Sequence, residues 1–220
     1  MLDLILPQRC LVCSLPGAAV CPDCRASLRR LGPPWCDRCG APTVWPVGRC
    51  AECSRRRLAF THARAAVEYD GPVRRIVSSW KERGLRRLAA WAAAVVAETI
   101  VRPDAECVVF VPPDPERRLR RGHHAAEGLG RELAALWDLG LQPLLARARG
   151  SPRQRELTRA ERGRNVASAF RPLGSVPASV VLVDDVYTTG ATAHAAASAL
   201  RKGGARRVEV VTFARTIRIR

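Results

Sequence analysis

Lysine is almost missing from this chain, and aromatic residues and long hydrophobic runs are scarce. Of 37 basic residues only Lys81 and Lys202 are not arginine, and Phe, Trp and Tyr together make up 5% of the sequence. With so few rings, a core has to be built mostly from Ala, Val and Leu; the apolar fraction of 47% suffices for one of sizeable volume and argues against overall disorder. The longest apolar stretch, Leu88 to Val101, is interrupted by Glu98. It falls short of the ~20 residues that span a bilayer, so membrane insertion is not expected. The opening MLDLILPQRC has neither a basic n-region nor a long apolar segment. No secretory signal is read there, and the expected location is the cytoplasm. In that reducing compartment nine cysteines make poor disulfide candidates. A Walker-type phosphate loop is excluded too, because no G-K-[ST] occurs.

What the chain does have is positive charge: 37 Lys+Arg against 20 Asp+Glu, a net +17. Such a balance attracts phosphate-rich partners, whether nucleic acid, nucleotides or an anionic surface. It has a plainer reading as well, as solvated arginine favoured by a GC-rich genome.

Eight of the nine cysteines lie between Cys10 and Cys53, and Cys107 stands alone as a small core residue. This asymmetry sets a boundary near residues 54–62 and predicts two units, a cysteine module over 1–58 and an α/β domain over 59–220. The spacing is C-x2-C-x7-C-x2-C for Cys10, Cys13, Cys21 and Cys24, then C-x2-C-x10-C-x2-C for Cys36, Cys39, Cys50 and Cys53. Each C-x2-C puts two sulfurs on one tight turn, and two turns complete a tetrahedral four-sulfur shell that suits Zn2+. An iron–sulfur cluster or redox dithiols are the other chemistries. Consecutive pairing gives two zinc ribbons; interleaved pairing, with the first and third pairs sharing a metal, gives a cross-braced module. Either way no ligand position stays open, so the metal is expected to be structural. Gly40, directly after Cys39, fits a turn whose amides face the sulfurs.

After the boundary, strand-like and helix-like segments alternate. Strands are expected at Ala65–Tyr69, Val108–Val111, Leu141–Leu145, Val180–Val183 and Arg207–Phe213. Helices are expected at Val73–Lys81, Leu85–Ile100, Ala125–Leu139 and Thr192–Lys202. The alternation predicts a mainly parallel sheet flanked by helices. Residues 147–170 are arginine-rich without a clear period, which suggests a long functional loop.

The most informative segment is Val180 to Thr192, V-V-L-V-D-D-V-Y-T-T-G-A-T. A buried strand ends in two acids, and a Thr/Gly turn opens a helix. Helix N-termini present free amides and partial positive charge to phosphate. Thr188, Thr189 and Thr192 add hydroxyl donors, and Gly190 lets the backbone approach closely. Asp184 and Asp185 sit at the carboxyl end of a strand, where open α/β sheets bind ligands, and can accept hydrogen bonds from sugar hydroxyls. A phosphorylated ribose satisfies the whole pattern; an acidic turn before an N-capped helix is the bland alternative.

This segment resembles the phosphoribosyl pyrophosphate (PRPP) fingerprint of type I phosphoribosyltransferases. With the cysteine module in front, nearly the whole chain resembles the ComF family (ComFC and GntX-like proteins), in which a zinc-ribbon module precedes a phosphoribosyltransferase-like domain. Other matching stretches are Tyr69-Asp70-Gly71 with Arg74, Lys81 to Gly84, Arg120-Arg121-Gly122, Gln154 with Leu157, and Arg162-x-x-Asn165 before Ala169-Phe170. The resemblance implies that Asp184 and Asp185 hold the ribose and that Tyr187, Thr188, Thr189, Gly190, Ala191 and Thr192 wrap the 5-phosphate. It implies that Pro112 and Pro113 begin a pyrophosphate loop, that Lys81 contacts a phosphate, and that residues 147–170 close over the site with Arg159 and Arg162 as cations. Mg2+ would bridge pyrophosphate and ribose oxygens. The family's link to competence implies DNA-uptake proteins and single-stranded DNA as partners. The chain departs from the family at Arg121-Gly122-His123-His124-Ala125, where R-G-F-N-Q is usual, and at Val111-Pro112-Pro113-Asp114, where V-P-V-P is usual.

Secondary signals have two readings each. His123 and His124 could act as general acid or phosphate ligands, or simply begin a helix in solvent. Arg117, Arg118, Arg120 and Arg121 could read pyrophosphate or a nucleic-acid backbone, or form a solvated run. Trp35 and Trp45 fall between zinc knuckles, where they could cover a small core or stack on bases.

Overall fold

The computed structural model describes residues 8–114, 123–148 and 169–217. The proposed roles of Arg117 to Gly122, Gln154, Leu157, Arg159, Arg162 and Asn165 therefore fall outside the described residues.

Five strands form one sheet: β1 (His62–Glu68), β2 (Cys107–Phe110), β3 (Gly140–Leu141), β6 (Ser179–Tyr187) and β7 (Arg207–Arg215), in the order β1-β7-β6-β2-β3. Every pairing in it is parallel, as the strand–helix alternation predicts. β4 (Leu145–Arg147) and β5 (Phe170–Pro172) make a separate antiparallel pair at the base of the arginine-rich segment. The expected strand at 141–145 is thus broken in two, and its second half serves that pair.

Helices cover both faces. α2 (Gly71–Glu82), α3 (Leu88–Thr99) and α4 (Ala125–Leu136) share one apolar cluster with Val181, Val183, Val211 and Phe213. α5 (Ala191–Lys202) shares the other with Val180, Leu182, Val208 and Val210. Alternate residues of β6 and β7 thus point to opposite faces, as the period-two pleat requires. Both faces are buried, which explains why these strands read as near-continuous apolar runs.

Local chemistry sets the helix starts. The Asp70-Gly71-Pro72 turn is the start of α2: the Asp70 carboxylate accepts the Val73 amide at 3.0 Å. His124 caps α4 with Nδ1 accepting from the Glu127 amide at 3.3 Å. α3 carries almost no charge and is buried along Leu88, Ala89, Ala92, Ala93, Val95 and Val96; its alanines let neighbouring elements approach closely.

The cysteine module, with its short helix α1 (Pro22–Ala26), closes the β1 edge of the sheet. The Leu31 amide donates to Ala66 O and the Glu68 amide to Arg29 O, both at 2.9 Å, and Ala63 N donates to Arg38 O at 3.0 Å. An open edge strand is thereby covered. Gly40 has φ +69°, and a Cβ there would overlap the Ala63 carbonyl oxygen. Its glycine is needed for close approach to β1 as well as for the turn.

Candidate functional site

The two cysteine quartets come together in consecutive order. Cys10, Cys13, Cys21 and Cys24 form one set, Cys36, Cys39, Cys50 and Cys53 the other, with all four sulfurs of each within 4.8 Å of one another. This resolves the pairing in favour of two ribbons over the cross-braced arrangement. In the second set Cys36–Cys53 and Cys39–Cys50 sulfurs are each 3.5 Å apart. A tetrahedral shell with Zn–S bonds of ~2.3 Å needs sulfurs roughly 3.8 Å apart, so the donors fit zinc. Amides point at them: Cys21 N to Cys10 Sγ at 3.4 Å and Cys50 N to Cys36 Sγ at 3.3 Å. Burial alone would push these two thiols up, but amide donation outweighs it and brings Cys10 down to about 6 and Cys36 to about 7. Four converged sulfurs without an open position make a structural zinc site, and each quartet has one thiol, Cys10 or Cys36, already held down by amides.

A cleft of about 360 Å3 opens at the carboxyl ends of β2 and β6. Asp184, Asp185, Thr188 and Thr192 line it, together with Pro112, Pro113, Lys81, Tyr69, His123, His124 and Arg147. Residues distant in sequence therefore converge where open α/β sheets bind ligands. Strand β6 runs on through both acids to Tyr187, beyond the Val183 end that the apolar run suggests.

The two carboxylates have different surroundings. Asp185 is buried and meets Lys81 Nζ at 2.6 Å. Asp184 accepts the Asp185 amide at 2.9 Å. Burial first, then the neighbouring Asp185 charge, pushes Asp184 up to about 7, against the partial relief of Lys81 and Arg147. A group held at that value can either accept or donate a hydrogen bond near neutral pH.

Helix α5 begins at the cleft. Gly190 occupies its N-cap in the left-handed region, φ +72°, and no side chain caps the helix. Thr189 Oγ1 accepts the Ala191 amide at 3.3 Å. Thr188 and Thr192 face the cleft, but the Tyr187 ring does not: it is buried beneath Gly190, edge-on to Phe60 at 6.4 Å. Burial pushes its phenol up to about 12. Of the residues expected to wrap a phosphate, Tyr187 thus has only its main chain at the turn. His123 and His124 line the cleft, with His123 Nε2 2.6 Å from Trp80 O.

The sequence places Arg147 in the segment expected to close over the site without singling it out, and gives Arg56 and Arg215 no role. Arg147 lies over the Phe170 ring at 5.0 Å and reaches Pro112 O at 3.3 Å, beside the cleft. Arg56 donates to Thr189 O, and Arg215, 1% exposed, donates to Cys39 O and pairs with Glu52 at 3.0 Å. In a chain with 37 basic residues nothing local marks these as special; only the fold singles them out.

Comparison with known proteins agrees with the resemblance read from the motifs. Residues 1–57 match the family described as Double zinc ribbon domain. The chain is 28% identical to DNA utilization protein YhgH of Salmonella typhi, over 97% of this chain and all of that protein. It is 26% identical to Competence protein F of Haemophilus influenzae, over 94% and 96% of the two chains. Against Competence protein ComFC of Streptococcus pneumoniae it is 25% identical over 90% and 88%. Among solved structures, the glutamine PRPP amidotransferase from B. subtilis aligns with 58% of this chain and 25% of that one, at 21% identity and a TM-score of 0.39. A Thermus thermophilus protein, TT1426, aligns over 56% and 72%, at 26% identity and a TM-score of 0.36. Among the described residues no helix is long and apolar enough to cross a membrane.

Proposed function

For a chain related over nearly its whole length to ComF and YhgH proteins, we propose that the cleft binds PRPP with Mg2+ and that the domain is phosphoribosyltransferase-like, acting in the cytoplasm in DNA uptake. The observation that carries this reading is the convergence of Asp184, Asp185, Thr188 and Thr192 with Pro112, Pro113 and Lys81 on one cleft. The 5-phosphate would sit on the turn from Thr188 to Thr192, held by the amides of the uncapped α5 start and by threonine hydroxyls. Asp184 and Asp185 would accept the ribose hydroxyls. The backbone after Pro113 would take the pyrophosphate, with Lys81 and Arg147 as nearby cations.

Mg2+ fits the carboxylate oxygens of this donor set and would supply charge neutralisation at the leaving pyrophosphate. In the transfer itself a nucleophile forms a bond to C1 of the ribose while the C1–O bond to pyrophosphate breaks, and the leaving group departs with the bonding electrons. The chain's contribution is positioning and stabilisation of the departing charge. Arg162, implied by the resemblance as a further cation, belongs to this proposal without a described position. Calorimetric titration of PRPP with and without Mg2+ tests the reading, repeated on Asp184→Asn/Asp185→Asn. Binding that requires Mg2+ and disappears in the double variant supports it; equal binding by the variant sinks it.

A second reading is an accessory module for single-stranded DNA, with the cleft kept as a sensor. It is favoured by Trp45, 65% exposed on the second ribbon, and by the guanidinium of Arg64 over Trp35 at 4.6 Å. Aromatic platforms within a basic surface suit stacked bases.

A further inference from the structure

The second ribbon and the chain just after it meet the phosphate turn and its helix through three separate contacts. Arg215 is fully buried at the end of β7, and its guanidinium donates to the Cys39 carbonyl, pairs with Glu52 at 3.0 Å, and lies 4.8 Å from the centroid of the Tyr187 ring. Cys39 is a ligand of the second quartet, and Glu52 sits between its other ligands, Cys50 and Cys53. Tyr187 in turn supports Gly190: a Cβ on that glycine would overlap the Tyr187 hydroxyl. Independently, Arg56, just past Cys53 in sequence, donates to the Thr189 carbonyl inside the turn. One turn further along α5, His194 Nδ1 accepts the Ala59 amide at 3.1 Å. Burial and the nearby Arg56 hold that imidazole below its ordinary range, which keeps it a neutral acceptor.

The first ribbon is attached elsewhere. Arg25 and Arg30 pair with Glu98 on α3, Arg30 also reaches Val95 O at 2.9 Å, and Leu28 packs into the cluster shared by α2 and α3. The two quartets thus have different mechanical loads.

We propose that the second four-cysteine centre and the phosphate turn form one cooperative unit, with Arg215 and Arg56 as positioning residues. Metal in that centre fixes the knuckle from Cys50 to Cys53, the knuckle fixes Arg215 and Arg56, and these hold the turn from Thr188 to Gly190 in the shape that accepts a phosphate monoester. The Arg215–Glu52 pair cannot slacken without leaving a buried charge uncompensated, which makes the link stiff. The coupling is reciprocal by linkage: a phosphate on the turn must tighten the hold on zinc in the second centre and leave the first unaffected. The ligand class in this inference rests on the PRPP reading, whereas the coupling does not.

Hydrogen exchange by mass spectrometry, on full-length zinc-loaded protein without ligand, tests the coupling by itself. Cys53→Ser, which dismantles the second centre, is expected to speed exchange of the amides from Thr188 to Ala193 at least fivefold. Cys13→Ser, which dismantles the first, is expected to change it less than twofold. Arg56→Ala, with both zinc ions retained by metal analysis, is expected to fall between them; this variant keeps the test valid where Cys53→Ser fails to fold. Equal effects of the two cysteine variants, or unchanged exchange in Arg56→Ala, overturn the proposal.

The reciprocal arm measures zinc release to a colorimetric chelator with and without millimolar ribose 5-phosphate. Slowing of the second centre's zinc alone, the one retained in Cys13→Ser, supports the coupling; slowing of the first centre's zinc, alone or together with the second, overturns it. Absence of ribose 5-phosphate and PRPP binding in calorimetry overturns the PRPP reading instead, and the exchange result then still decides the coupling.

Discussion

Lys81 and Asp185, 104 residues apart in sequence, meet at 2.6 Å across the mouth of the cleft. Lys81 closes the last turn of α2 and Asp185 lies near the end of β6, so the pair ties the helical layer to the strand that carries the acids. It also solves an electrostatic problem. Two adjacent carboxylates facing a polyanionic ligand would repel it, and an ammonium bound to one of them removes much of that repulsion. Lys81→Met is therefore expected to weaken PRPP binding by roughly 10- to 100-fold, the scale of losing one close charge-assisted contact. Isothermal titration at fixed Mg2+ reads this directly. Unchanged affinity would mean that the lysine serves only the fold.

Asp184 makes a prediction about pH. Its carboxyl is held up at about 7 by burial and by Asp185, against an ordinary value of 3.8. Between those values the unfolded chain has lost a proton that the folded chain keeps, so stability falls as pH rises across that window. Asp184→Asn removes the titrating group. The variant's stability relative to the parent should therefore increase from about pH 4 to pH 7 and level off above. Because Asp184 keeps some contact with solvent, the expected gain at pH 8 is discounted to about 1–2 kcal/mol. Urea midpoints at pH 5 and pH 8 give the comparison; a variant equally destabilised at both would contradict the assignment. PRPP binding should be lost in the same protein.

Much of this architecture was legible in residue patterns. The parallel sheet followed from apolar runs separated by helical periods, because strands buried on both faces have no alternation to hide them. The cysteine quartets were legible because a metal shell imposes spacing on sequence. The pairing of the quartets was not, since a C-x2-C turn is the same in either topology. The cleft was legible at β6 and less so elsewhere: Pro112 and Pro113 could be placed only by resemblance. Tyr187 shows a different limit. Its position in the motif suggests contact with phosphate, but the left-handed Gly190 leaves a space that a ring must fill from below. Arg56, Arg147 and Arg215 did not stand out because arginine is everywhere in this chain, so residue type carried no information.

Zinc removal should proceed in two phases. In the first quartet Cys13 is exposed and Cys21 and Cys24 are half-buried, while in the second Cys36, Cys39 and Cys53 are buried in the core shared with α5. A chelator has to reach the metal, and the second centre opens only when part of that core does. Two zinc ions per chain are expected by metal analysis, one released fast and one slowly. Cys13→Ser should retain a single zinc with the slow phase alone. Because zinc binding is folding free energy in such modules, loss of the slow zinc should be accompanied by loss of thermal stability well beyond that of the fast one. Differential scanning calorimetry after partial and full chelation separates the two. Release in one phase, or a fast zinc that survives in Cys13→Ser, would contradict the burial argument.

The exposed face of the second ribbon gives the last prediction. Trp45 and Val44 are 65% and 85% exposed, and Trp35 is covered on one side by Arg64. An isolated exposed indole costs solubility unless something stacks on it, and the +17 net charge of the chain favours a polyanion as that partner. Base–aromatic stacking contributes about 1–3 kcal/mol per base, so Trp45→Ala should weaken binding of a thymidine oligonucleotide by roughly tenfold. Affinity of the parent protein should fall steeply with salt, because phosphate neutralisation by arginine releases counterions. Since stacking is largely insensitive to salt and phosphate contacts are not, Trp45→Ala should lower the affinity and leave the salt slope intact, whereas Arg64→Ala should reduce the slope by about one. Fluorescence anisotropy across a salt series measures both quantities, and PRPP titration of the same variants should be unchanged because neither residue lines the cleft. An oligonucleotide affinity indifferent to Trp45 and flat in salt would remove the second ribbon from any DNA-binding role.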